Sequence, residues 1–483
     1  MLGCEYGAHF AGSEVFKVVC DDMNVVCKEL FDVAMPLGHC YSVEENPGKR
    51  NFMVHAHNPS RVYETTKLVG RPRALNTVTN LTEFVPWAFL GHGGPTCVSR
   101  SHISVRSSEF VGCVELGEGK TGHAFSEFII VCSIVRYKII LCENLKALLE
   151  KNKGALTDCE SDGEFVVIEF RKHEYAVRWF EVQALHYGSL PSRPRIYLVG
   201  YDGLNNEYKL DLVETALTCM KFVHPSESPL FDNHFLLTPS WLDALQAWPK
   251  EFLALDAGVG PEQAAKKAKT AKPPVYMAEH LEFYHDAGFE WPPTEAQMRD
   301  PIWQHVTPYV SPRAFQVAFF CAMKFPDRIA EEEHGFIDIN FNMRLLLNTD
   351  KLGKLKSPWS PHPGCLLSTT ILLMRTLPGT RIDYDAKVPI WRQWLYRIVC
   401  GVELMSMVGW CHTKWGGTMP EWAPHELLTD LAGNAYSAFA VGPVLISAMA
   451  AYAMPPPPAP QASDEIVVSD SADERGSSSG SSG

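Results

Sequence analysis

The chain predicts an α/β fold built on a mostly parallel, doubly wound sheet, and three observations carry that expectation. Strand-like apolar runs alternate with stretches whose apolar residues recur at helical spacing, as in 6–12 followed by 13–31, or 123–136 followed by 137–142. Tyr137 to Cys142 is apolar almost without a break, as a parallel strand buried on both faces requires. The first strand-like run ends in the turn Phe10-Ala11-Gly12 just before a helix, which is how a nucleotide-binding βα unit opens.

At 483 residues and 46% hydrophobic, the chain can build two or more domains with their own cores. Its fourteen cysteines are scattered, without a Cys-x-x-Cys pair, and its opening does not read as a signal peptide. This predicts reduced thiols in an intracellular protein and no metal centre. No run of ~18 uninterrupted apolar residues is present, so no membrane partner is expected. The formal charge of −13 argues against non-specific nucleic-acid binding, so a nucleic-acid partner would need a local basic face.

Taken in order, a helix is expected over 13–31 and a strand over His39 to Glu44, ending in the acidic pair Glu44-Glu45 before a helix at 47–57. An acid at that strand end is placed to accept from two ribose hydroxyls, where a solvated surface pair is the plainer alternative. A short strand, 61–65, contains Glu64, and a Thr- and Asn-rich loop follows. The apolar run Phe84 to Leu90 leads into Gly91-His92-Gly93-Gly94-Pro95-Thr96-Cys97. Its His-Gly-Gly is of the type found in esterase oxyanion loops, but no Gly-x-Ser-x-Gly elbow follows. Cys97 is then either a buried structural cysteine or a nucleophile, and a nucleophile would need a cation or helix N-terminus to favour its thiolate.

Glu143 closes the apolar strand 137–142, and desolvation there should raise its pKa so that it can carry a proton to a ring nitrogen. A helix is expected over 164–171 and strands over 176–184 and 196–200. Arg193 and Arg195 precede the last of these and, two residues apart, should face one side.

These residues, in this order, resemble the cytosine carbon-5 DNA methyltransferases, which use S-adenosylmethionine, and mark the chain as a divergent relative with a Rossmann-like methyltransferase fold. Phe10, Ala11 and Gly12 match the family's first motif, where the methionine end and adenine of the cofactor lie. Glu44, with Glu45 beside it, matches the ribose-binding acid, and Glu64 stands where the family has an Asp for the adenine amino group. Gly94 to Cys97 matches Gly-Phe-Pro-Cys with the proline one place early, and Glu143-Asn144-Leu145 matches Glu-Asn-Val. Arg193 and Arg195 match the arginines of Gln-x-Arg-x-Arg, with Pro191 in place of the glutamine. Glu403 and Gly409 match a later helix motif, and Gly433-Asn434-Ala435 matches the last one, which completes the cofactor pocket and adds Asn434 to it.

The resemblance covers 8–201 and 398–453. It implies a catalytic part at 1–203 completed by a return segment at 386–453. Between them, 204–385 would be a target-recognition domain with a mobile basic linker at 256–274, and 454–483 a disordered tail. It further implies that Cys97 attacks carbon 6 of an extruded cytosine, that Glu143 protonates ring nitrogen 3, and that Arg193 and Arg195 line the site, Arg195 at the carbonyl oxygen of the base. Double-stranded DNA is the expected substrate and RNA the second choice, in the nucleus if the source is eukaryotic. A catalytically silent relative that binds cofactor or nucleic acid fits the same motifs, given the shifted proline and the missing glutamine.

Overall fold

The computed structural model describes residues 4–32, 37–97, 113–151, 159–221, 294–310, 312–324, 335–339, 366, 370–375, 396–410 and 423–456. The first strands and helices run β1 (Cys4–His9), α1 (Val15–Phe31), β2 (Leu37–Val43), α2 (Pro47–His57), β3 (Val62–Tyr63) and α3 (Thr66–Val69). A hairpin of β4 (Arg73–Asn76) and β5 (Leu81–Phe84) precedes β6 (Leu90–Gly93), α4 (Gly119–Val135) and β7 (Ile139–Asn144). Then come α5 (Asp162–Lys172), β8 (Tyr175–Gln183), β9 (Pro194–Asp202) and α6 (Tyr208–Lys221). Seven of these strands form one sheet in the order β3-β2-β1-β6-β7-β9-β8. It is parallel from β3 to β7, while β9 runs antiparallel to both β7 and β8. This is the expected Rossmann-like, mostly parallel doubly wound sheet, with one reversed strand.

The alternation of strand residues sorts the core into two layers. Tyr6, Ala8, Leu90, Ile139 and Leu141 face one layer with Phe16 and Val19 of α1, whereas Tyr41, Ile140 and Cys142 face the other with Phe125 and Phe128 of α4. Small residues let helices and large rings approach the strands. A Cβ on Gly91 would overlap the Tyr137 ring.

The Thr- and Asn-rich stretch expected as a loop is the β4–β5 hairpin. Asn76 organises it: its buried side chain accepts from the N–H groups of Val62 (3.1 Å) and Val78 (3.0 Å) and donates to the Ser60 carbonyl at 2.9 Å. Asn80 takes the left-handed turn position at φ 56°.

The rest of the described chain comprises a 3-10 turn around Trp303, α7 (Pro312–Lys324), β10 (Phe336–Asp338), β11 (Leu372–Arg375) and β12 (Tyr396–Ile398), then α8 (Gly401–Met407), α9 (His425–Asn434) and α10 (Ala438–Ala453). The strands β10, β11 and β12 form a separate antiparallel sheet. Its core is distinct: the buried Trp303 stacks on Tyr396 at 4.5 Å and packs with Phe315 and Phe319 of α7. Trp241, Trp248, Trp291, Trp359, the linker 256–274 and the tail from 457 lie outside the described residues.

Two elements near the expected boundaries pack across them. Helix α6 lies beyond 203 yet packs on the large sheet's layer through Leu210, Val213 and Leu217, and Lys209 donates to the Tyr452 carbonyl at 2.9 Å. Strand β12 lies within the expected return segment but pairs with β11 in the small sheet, and Phe336, Leu366, Leu372 and Met374 already pack with the large layer before Val399 does. Both follow from where the apolar faces find partners. The helical stretch 425–453 is long and apolar enough to span a membrane by length and composition. The break at Ala435–Ser437 divides it, and α10 is mostly consumed in packing against α1 and α6.

Candidate active site

In an open α/β sheet, ligands bind beyond the carboxyl ends of the strands where the strand order reverses. Here that point lies between β1, from which the chain winds outward to β2 and β3, and β6, from which it winds the other way. Phe10 to Gly12 follow β1, Glu44 follows β2, Gly94 to Cys97 follow β6, and Glu143 lies in the last turn of β7. Arg193 and Arg195 reach the same edge for a different reason. Because β9 is antiparallel, its start lies beside the end of β7, with Glu143 opposite Tyr197 and Asn144 opposite Ile196. Arg195, two residues before Tyr197, is then the diagonal neighbour of Glu143 on the same face.

The β1–α1 turn is held by backbone geometry that glycines usually provide. Phe10, Gly12 and Glu14 have φ of 54°, 55° and 56°, so two non-glycine residues occupy the left-handed region that favours glycine. Such departures concentrate at ligand sites. The Gly12 N–H donates to Glu44 Oε2 at 2.8 Å, the Asn46 N–H donates to Glu44 Oε1 at 2.9 Å, and the Ala11 N–H donates to the Val43 carbonyl at 2.9 Å. The first turn and the acid after β2 are therefore one unit. Beneath them the buried Glu14 meets His39 Nε2 at 2.9 Å and accepts from the Ser42 hydroxyl at 2.5 Å. Burial pushes the Glu14 carboxyl up, but His39, His57 and Ser42 outweigh it and bring the pKa down to about 2.

The residues expected at the outer part of a cofactor are less enclosed. Arg50 donates to the carbonyls of Glu44 and Glu45 and pairs with Glu64 at 3.5 Å, while Glu45 and Glu64 themselves are exposed. Asn434, expected in the cofactor pocket, makes its hydrogen bonds within its own helix. As the last residue of α9 it is exposed, and its amide folds back to the carbonyl of Asp430 at 2.9 Å and to that residue's carboxylate at 2.6 Å.

On the other side of the switch point, Arg195 Nε pairs with Glu143 Oε1 at 2.8 Å in a largely buried setting. Burial pushes the Glu143 carboxyl above its ordinary range, against the pull of Arg195 and Arg193. Cys97 is half-buried, and its thiol is pushed up by burial and then by Glu143, while Arg195 and Arg193 favour the thiolate. Asn144 fixes the loop that carries it: its amide donates to the Pro95 carbonyl at 2.8 Å, and its carbonyl accepts from the Leu145 N–H at 2.9 Å. The structure thus brings Cys97, Glu143 and Arg195 together. Arg193 has a different set of contacts. Its buried guanidinium donates to the carbonyls of Leu366 (3.1 Å), Gly433 (2.9 Å) and Ala435 (2.6 Å), tying the return segment to the start of β9.

No family model matches the chain, and no curated protein matches it. Among solved structures, the S. pombe Dnmt2 methyltransferase is similar at a TM-score of 0.41 and 12% identity, over 92% of this chain and 97% of that one. The Entamoeba histolytica methyltransferase EhMeth is similar at a TM-score of 0.41 and 10% identity, over 93% of this chain and 98% of that one. At identities this low, the site's chemistry rests on its own residues.

Two residues at this edge were not among the expected site residues, although His92 lies in the His-Gly-Gly stretch weighed as an oxyanion loop. His92, buried on β6, stacks on Phe16 at 3.9 Å and meets the Tyr436 ring edge-on at 4.5 Å. The Tyr436 hydroxyl lies against Gly94, where a Cβ would overlap it. Tyr436 directly follows Gly433-Asn434-Ala435, which was the one available sequence signal; nothing local marked His92 beyond its place in a glycine-rich loop. Among the described residues no group of His, Cys, Asp and Glu is arranged to hold a metal.

Proposed function

We propose that this protein transfers a methyl group from S-adenosylmethionine to carbon 5 of cytosine in DNA through a covalent adduct on Cys97. One observation carries the reading. Cys97, Glu143 and Arg195 converge at the edge where the β1–α1 turn and Glu44 form one hydrogen-bonded unit, which we assign to a nucleoside. The residues suit such a cofactor, because Glu44 retains acceptor capacity for ribose hydroxyls beyond its two backbone N–H contacts, and the Tyr436 hydroxyl is buried there without a hydrogen-bond partner. When bound, the cofactor would supply an electrophilic methyl group.

The protein's own part begins with one proton, for which Cys97 and Glu143 compete. Cys97 and Glu143 are both held toward their protonated forms by burial. Passage of the thiol proton to the Glu143 carboxylate gives a thiolate and a carboxylic acid together, and removes the negative charge that most opposes the thiolate. Thiolate attack on carbon 6 of an extruded cytosine, with proton donation from Glu143 to ring nitrogen 3, leaves an enamine whose carbon 5 can accept the methyl group. Loss of the carbon-5 proton to a base, expulsion of the Cys97 thiolate and return of the nitrogen-3 proton to Glu143 restore the neutral aromatic ring. Arg195 is the candidate for the carbonyl oxygen of the base. Extrusion costs a few kcal/mol, and we assign the compensating contacts to the part of the chain that contains the small sheet.

A silent relative is the second reading, and the raised Cys97 thiol is the observation that favours it. A duplex containing 5-fluorocytosine tests both, because fluorine at carbon 5 cannot leave as a proton. Wild type with cofactor should give a denaturation-stable protein–DNA species, and Cys97→Ser should abolish it. An absence of trapping despite measured binding of cofactor and DNA would establish the silent reading. Methyl transfer to tRNA but not to duplex DNA would move the substrate to RNA.

A further inference from the structure

Tyr436 is buried at the start of the segment leading into α10, and its hydroxyl has no hydrogen-bond partner. Both ring nitrogens of His92, against which it packs, are likewise buried and unpartnered. Buried polar groups are hydrogen-bonded in the great majority of cases, so orphans gathered at one edge call for an explanation. A structural role accounts for the rings, which fill the space between Phe16 and Gly94. It does not account for the hydroxyl, which a phenylalanine would omit at no cost in packing.

Position along the sheet edge supplies the explanation. The end of β2, with Glu44, and the end of β7, with Glu143, are separated by β1 and β6. That is three strand spacings of about 4.8 Å, or ~14 Å. With the ribose at Glu44 and the methyl acceptor at Glu143, the stretch over β1 and β6 falls to the part of the cofactor between them: the sulfur and the amino-acid chain it bears. Tyr436 stands there, over Gly94 at the end of β6, within electrostatic reach of both Glu44 and Glu143. We infer that the Tyr436 hydroxyl, on the His92 platform, is a hydrogen-bond donor to the amino-acid end of the cofactor and selects for ligands that carry it. This rests on the cofactor reading above. Burial keeps the phenol protonated, so it remains a donor to a carboxylate.

Calorimetry on the full chain with two ligands tests this. S-adenosylhomocysteine has the amino-acid end; 5′-deoxy-5′-methylthioadenosine shares the adenosine and thioether but lacks it. Tyr436→Phe should weaken the first about ten-fold, as expected for loss of a hydrogen bond to a charged group, and leave the second unchanged. Its melting temperature without ligand should not fall, because the hydroxyl has no partner to lose. Gly94→Ala, which puts a Cβ where the hydroxyl lies, should show the same selectivity for the amino-acid end. Unchanged affinity for S-adenosylhomocysteine in Tyr436→Phe would overturn the inference, and so would an equal loss for both ligands. If the wild type binds methylthioadenosine but S-adenosylhomocysteine no more tightly, the inference fails while the cofactor reading stands. If it binds neither, both fall.

Discussion

Replacing Arg193 separates its bracing contacts from a role on substrate. Arg193→Met keeps the side chain's length and apolar stem but removes donors to the carbonyls of Leu366, Gly433 and Ala435. Hydrogen bonds to a charged group contribute about 1.5–3 kcal/mol each, so three would sum to roughly 4.5–9 kcal/mol if independent. They are not independent. One guanidinium makes all three, and its removal also relieves the cost of burying the charge, so a net loss of about 3–5 kcal/mol is expected. At roughly 2–4 °C per kcal/mol for a domain of this size, the melting temperature should fall by about 10 °C, readable by circular dichroism. Affinity for S-adenosylhomocysteine should fall with it, since Gly433 and Ala435 lead into Tyr436. Arg193→Lys, with its charge kept and its fork lost, should lie between the two. A methionine variant that melts like wild type yet no longer forms the fluorocytosine adduct would refute this reasoning and return Arg193 to the substrate.

Two further expectations follow from a closely packed glycine and a buried carboxylate. Gly409 has φ 96°, and a Cβ there would overlap the Ala438 side chain, so Gly409→Ala should destabilise by about 2–4 kcal/mol through backbone strain and overpacking; an unchanged urea midpoint would contradict that. Glu14, with its folded pKa lowered to about 2 from an ordinary 4.5, contributes about 3 kcal/mol that is fully present above pH 4.5 and lost as pH falls through 2. The stability advantage of wild type over Glu14→Gln should therefore shrink by roughly 2 kcal/mol between pH 7 and pH 3, and an advantage that is constant with pH would exclude the mechanism.

The sequence alone determined what local pattern controls. Apolar runs placed β1, β2, β7 and β8 and helical spacing placed α1, α2, α4 and α5, each to within a few residues, because both signals are set by nearest neighbours along the chain. It also placed Phe10 to Gly12, Glu44, Cys97 and Glu143 at strand ends, where a winding sheet must bring them to one edge. Tertiary structure decided the rest. Only the antiparallel direction of β9 puts Arg195 beside Glu143, and direction leaves no trace in a strand's own pattern. Arg193 and Arg195 stand two residues apart, yet one meets three backbone carbonyls from 366, 433 and 435 and the other a carboxylate. Those carbonyls lie some 170 to 240 residues away in the chain, and no local rule relates them. The same holds for Tyr436 over Gly94. A buried hydroxyl is conspicuous only when its surroundings are known, because exposure and hydrogen-bond partners belong to the folded molecule and not to any window of sequence.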